Sequence, residues 1–69
     1  MEDLTTKQVQ CLAAIEAYID EFGYPPSIAD VSQAMGLDGD NDALGHIKAL
    51  QRKGKIKTTP GVARSIVLL

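Results

Sequence analysis

Two glycines divide residues 27–54 into a pair of helices with a tight turn between them, and this division constrains the chain more than any other feature. Ser27 is a helix-capping residue, and Asp30, three residues on, can return the hydrogen bond. Gly36 ends the first short helix as a residue free to take positive φ. Leu37 falls in the turn, where an apolar residue is most simply a plug between two helices. A second helix should begin near Asp40 or Asn41, with Gly54 at its C′ position. Two helices joined by a short glycine-containing turn form the helix-turn-helix pattern. The second helix of such a unit is shaped to enter a DNA major groove. Tight helix pairs are common in helical proteins, so the flanking sequence has to carry the rest.

Ahead of this unit, Leu4 is a staple residue and Thr5 with Gln8 makes a capping box. From Lys7 to Phe22 the apolar residues Val9, Leu12, Ile15, Ile19 and Phe22 recur at helical spacing. Glu16, Asp20 and Glu21 lie on the other side, and Gly23 stops the helix. Tyr24-Pro25-Pro26 is a stiff connector, because proline fixes its own φ and holds its predecessor extended. The Tyr24 ring is expected to pack on the first helix, with a partner groove as the alternative. In the second helix, Ile28, Val31 and Met35 are expected in the core. In the third, Ala43, Ile47 and Leu50 form the buried stripe, leaving Lys48, Arg52 and Lys53 off it.

After Gly54 the period changes from helical to two. Lys55-Ile56-Lys57-Thr58 and Ser65-Ile66-Val67-Leu68 read as strands, joined by a Pro-Gly turn over residues 59–63. The expected fold is therefore mainly α with a small antiparallel β-hairpin: three helices plus a two-stranded wing, the winged helix-turn-helix. Residues 1–69 make one domain. A chain of 69 residues has a small core, and its single cysteine, Cys11, allows no internal disulfide. There is no signal-peptide pattern and no run near the ~18 apolar residues of a membrane span, which points to a cytoplasmic protein.

The net charge is −2 and the isoelectric point about 5.1, which taken whole argues mildly against nucleic acid. The distribution argues for it. Residues 1–40 hold one base, Lys7, against eight acids; residues 41–69 hold six bases against one acid, Asp42. A basic end on an acidic body suggests one surface meant for a polyanion; an ordinary solvated face of lysines is the alternative.

The chain resembles the N-terminal DNA-binding domain of the LexA family, bacterial repressors of the DNA-damage (SOS) response. The residues that carry the resemblance are Leu4-Thr5 with Gln8, Gly23 with Pro25-Pro26, and Ala29, Gln33 and Gly36. The strongest block is His46, Lys48-Ala49-Leu50, Arg52-Lys53-Gly54 and Ile56; Gly61, Arg64, Ile66 and Leu68-Leu69 complete the wing. The resemblance implies a domain that binds palindromic operators in double-stranded DNA as a dimer. The N-terminal half of the third helix, about 38–53, reads bases, and basic residues around it hold phosphates. The reading region departs from the family. Between Gly36 and His46 only Asn41 and Ala43 look familiar; the family tends to have basic and Ser-Pro residues before Asn41, polar residues where Leu44 and Gly45 stand, and often arginine in place of Ile28. Docking mode is thus implied and the family's operator is not. The family's C-terminal peptidase domain, which holds its dimer, has no counterpart in these residues, so the chain is expected to be a stand-alone regulator or a DNA-binding fragment. Dimerisation is expected to be weak, with no apolar surface stripe left over after packing.

Asn41 is the leading base reader, because its amide can pair with N6 and N7 of adenine; an N-cap role is equally open. Asp42, Leu44 and Gly45 share the reading positions. Lys48, Arg52, Lys53, Lys55, Lys57 and Arg64 are phosphate candidates, with Gly61 at the wing. Asp38, Asp40 and Asp42 favour a helix N-terminus but repel phosphate, and they lack the glycine and glutamate that an EF-hand loop requires. Gly45 inside a helix suggests close approach of another backbone, or simple tolerance. His46 and Cys11 form no metal or nucleophile set, no cofactor is implied, and no catalytic constellation is present, so an enzyme is not expected. The competing reading is a protein-interaction winged helix that uses the acidic turn to bind another regulator.

Overall fold

Capping boxes open two of the three helices in the computed structural model, which describes residues 4–69. α1 spans Thr6–Phe22 and opens on the expected box: Thr5 Oγ1 accepts from the Gln8 N–H at 3.2 Å, and Gln8 Oε1 accepts from the Thr5 N–H at 3.0 Å. Gly23 closes it in the left-handed region. α2 spans Ile28–Met35 and opens on the Ser27–Asp30 box. α3 spans Asp40–Arg52, with Gly39 as its cap and no side-chain cap bond. The N-cap role open to Asn41 therefore falls away, because Asn41 is the second helical residue.

The C-terminal ends of α2 and α3 are built alike. Gly36 and Gly54 take φ of 69° and 75°. The N–H groups of Gly36 and Leu37 donate to Gln33 and Ser32 carbonyls, and those of Gly54 and Lys55 to Gln51 and Leu50 carbonyls. These paired bonds satisfy carbonyls that a helix end otherwise leaves open. Leu37 is then delivered against the core as the plug expected of it. Ser32, buried beneath the turn, donates its hydroxyl to the Gly39 carbonyl at 3.2 Å and so ties α2 to the start of α3.

The three helices pack mutually around Cys11, Ile15, Val31, Ala43, Ile47 and Leu50, and the C-terminal segment closes the core with Ile56 and Ile66. β1, Ile56–Lys57, pairs antiparallel with β2, Val67–Leu68, in the register Ile56 to Leu68 and Lys57 to Val67. Each strand is two residues long where the alternation suggested four. Thr58 and Ser65 have side-chain partners instead: Thr58 donates to Gln51, and the Ser65 hydroxyl bonds the Thr59 N–H and carbonyl.

The α1 stripe is rotated from the expected one. Cys11 is fully buried while Val9 is half exposed. At 100° per residue Val9 lies about 120° around the helix from Ile15, whereas Cys11 is within the buried arc. Phe22 is on the correct side but at the last helical residue, where it packs on Tyr18 with centroids 4.5 Å apart and the rings tilted by 44°. Ile28 is 38% exposed rather than in the core. Val62, Val67 and Leu69 are exposed as well, so apolar surface does remain after packing, contrary to expectation. No helix among the described residues is long and apolar enough to cross a membrane.

Candidate nucleic-acid interface

The helix-turn-helix holds α3 with Ala43, Ile47 and Leu50 inward. The opposite side of the same helix is fixed by that choice. At 100° per residue, Asn41, Leu44, Gly45, Lys48 and Arg52 fall on one outward stripe. All are exposed except Leu44, which is partly covered. Asp42, His46 and Lys53 fall on the other flank, toward α1. There Lys53 Nζ donates to Gln8 Oε1 at 2.8 Å, the oxygen that also caps α1. The structure thus brings together five of the sequence-derived residues and sets Asp42 and Lys53 apart from them.

A groove of about 550 Å³ runs beside the stripe. One wall is the start of α2, with Pro26 and Ile28; the floor is α3, with Leu44, Ile47 and Lys48; the far wall is the wing loop around Val62. The wing turns at Pro60-Gly61, where the Val62 N–H donates to the Thr59 carbonyl at 3.1 Å and Gly61 takes φ of 77°. This is the geometry of a type II turn, which favours proline then glycine. Lys55 and Lys57 are exposed on the β1 side.

Arg64, expected at a phosphate, is turned back onto the body. Its Nη1 lies 2.9 Å from Asp30 Oδ2, 3.0 Å from the Tyr18 hydroxyl and 3.2 Å from the Pro25 carbonyl. Its guanidinium carbon sits 5.1 Å from the Tyr24 ring centroid, and that ring packs edge-on to Tyr18, as expected for Tyr24. Arg64 also has φ of 54°, the one non-glycine positive value among the described residues. Asp30 therefore serves twice, capping α2 and anchoring the wing. The Ser27 N–H bond lowers the Asp30 pKa against a smaller rise from burial, with further lowering from Tyr18, the Ser27 side chain and Arg64. The Tyr18 hydroxyl is lowered by its bond from Arg64, but burial and the neighbouring Asp30 and Tyr24 outweigh this and leave it raised. Its interaction with Tyr18 holds the Arg64 pKa up. Burial raises the Cys11 thiol, consistent with a packed side chain.

The sequence reading missed this Arg64–Asp30–Tyr18 cluster. A basic residue after a turn suggests solvent, and only the tertiary arrangement brings α1 beneath it. Asp38, Asp40 and Asp42 are all exposed at the front of α3, and no three metal-ligating side chains converge among the described residues. Gly45 has nothing within 4 Å of where a Cβ would stand. No part of this fold requires glycine there.

A sequence model of the family described as LexA DNA binding domain matches residues 1–65. The LexA repressor of Cellvibrio japonicus is 46% identical over 68 residues, covering 99% of this chain and 34% of the relative. The LexA repressors of Pseudomonas chlororaphis and Pseudomonas aeruginosa are 44% and 41% identical, each over 96% of this chain and 33% and 32% of their own length. The chain spans about a third of the length of the curated relatives it matches.

Proposed function

The chain belongs to the LexA DNA binding domain family, and from that membership we propose that it is the operator-reading module of a transcriptional repressor. The observation that carries this is the outward stripe of α3, with Asn41, Leu44, Gly45, Lys48 and Arg52 on one line beside the wing. Laid in a major groove, α3 presents Asn41, Leu44 and Gly45 to base edges, while Lys48 and Arg52 reach the flanking phosphates. Lys55 and the backbone at Gly61 approach the neighbouring strand from the wing. Lys53 and Arg64 contact phosphate only by leaving Gln8 and Asp30. Two copies on a palindromic operator complete the assembly.

Selection from random duplexes at low and at higher salt tests this reading. It should enrich a palindrome, and affinity should fall with salt by about 0.9 log units per log unit for each phosphate neutralised. Lys48→Ala should lower that slope by about one without changing the enriched sequence. No enrichment at either salt would refute the reading.

The three exposed carboxylates at the front of α3 favour one second reading, in which this turn binds another regulatory protein. Changing Asp38, Asp40 and Asp42 together to Asn removes three negative charges and keeps side-chain size. On a DNA-binding domain the change raises affinity for random duplex, most at low salt where screening is weak. Equal and weak duplex binding by both forms supports the protein partner instead.

A further inference from the structure

We infer that Leu44, on the floor of the groove that Ile28 also lines, reads the C5-methyl group of thymine, so that the preferred half-site is set by methyl contacts and not by hydrogen bonds alone. This rests on the operator-reading function proposed above and specifies what it reads. Leu44 is on the outward stripe and only partly covered, and it is not part of the buried core. Ile28, across the groove, is 38% exposed, and Val62 on the wing is 56% exposed. Three apolar side chains thus line the space beside the reading turn of α3, where hydrogen-bond reading would need forked polar groups. A major groove offers such a surface one apolar feature, the thymine methyl. Gly45 strengthens the assignment, because the space where its Cβ would stand is open and α3 can approach the base edges closely at the next residue. Asn41, one turn earlier, supplies the polar contact, and Lys48, one turn later, supplies the cation that holds a phosphate against the same edge. Its charge fits a duplex in the groove better than an apolar peptide.

The test takes the duplex enriched by selection and replaces each thymine in turn by deoxyuridine, which removes the methyl and keeps the hydrogen-bonding pattern. Each duplex is titrated by fluorescence anisotropy against the natural chain and against Leu44→Ala. Alanine favours helix at this non-core position, and circular dichroism verifies the fold. One or two replacements should weaken the natural chain about fourfold each, the effect of one buried methyl-sized group. The same replacements should leave Leu44→Ala unchanged. If every replacement is silent while the enriched duplex still outcompetes random duplex, the methyl assignment is overturned and the DNA-reading function stands. If replacements weaken both forms equally, Leu44 is not the reader and the assignment is again overturned. If no duplex is preferred over any other, both the assignment and the function beneath it fall, and the groove is left to a protein partner.

Discussion

Arg64 holds the wing to the body through a side chain that crosses from the hairpin to two helices. Its backbone sits in the left-handed region, at φ of 54°, which costs a residue with a Cβ. The contacts to Asp30, Tyr18 and Pro25 offset that cost. Arg64→Asn keeps a residue that tolerates this backbone and removes the guanidinium. It should lower the melting temperature by a few degrees and speed amide exchange in residues 58–65, as measured by thermal unfolding and NMR. Unchanged exchange would show that the wing holds without its strut. Asp30 adds a pH dependence. Its folded pKa lies below the ordinary 3.8, so the stability it contributes is present above that value and is lost as pH falls through the folded pKa. Asp30→Asn should lower stability at neutral pH and flatten the acid limb below about pH 4, read from melting temperatures across a pH series.

At the scale of elements, one glycine within α3 and one just past its C-terminal cap have opposite physics. Gly54 has φ of 75° and open space at its Cβ, so an alanine there meets a backbone penalty and nothing else. Gly54→Ala should destabilise the fold by about 1–2 kcal/mol. Gly45 lies within the helix with no positive φ and no neighbour within 4 Å. Gly45→Ala should stabilise by about 0.8–1 kcal/mol and weaken duplex binding if the helix backbone approaches DNA there. Urea unfolding with duplex titration separates the two effects. An alanine that stabilises and leaves binding intact would make Gly45 a tolerated residue and remove it from the interface.

At the scale of the whole molecule, the principal extents are 31 × 25 × 24 Å. Half-sites of a dimeric helix-turn-helix lie about 34–36 Å apart, so one copy covers one half-site and a palindrome needs two. Val67 and Leu68 of β2, with Leu69 after them, leave apolar surface at the wing, but this is one short segment and not a broad face. The free chain should therefore sediment as a monomer at micromolar concentration and bind tightly only to duplexes carrying two half-sites at that spacing or its multiples. A stable dimer without DNA would contradict this.

The three helices, both capping boxes, the glycine stops at Gly23, Gly36 and Gly54, the Leu37 plug and the existence of the wing are all legible in the order of residues. Each depends on hydrogen bonds or periodicity spanning a few residues, so the deciding partners are adjacent in the chain. The order of residues also places Lys48 and Arg52 off the buried stripe of α3, because burying Ala43, Ile47 and Leu50 leaves them no inward side. Packing, by contrast, seats Arg64 on Tyr18, 46 residues away, and brings Lys53 to Gln8, 45 residues away. It likewise decided that Cys11 enters the core while Val9 does not, that Ile28 lines a groove, and that the strands stop after two residues. The physical reason is common to all of these. A long side chain takes the best partner within reach of its tip, and which groups come within reach is set by how the helices pack.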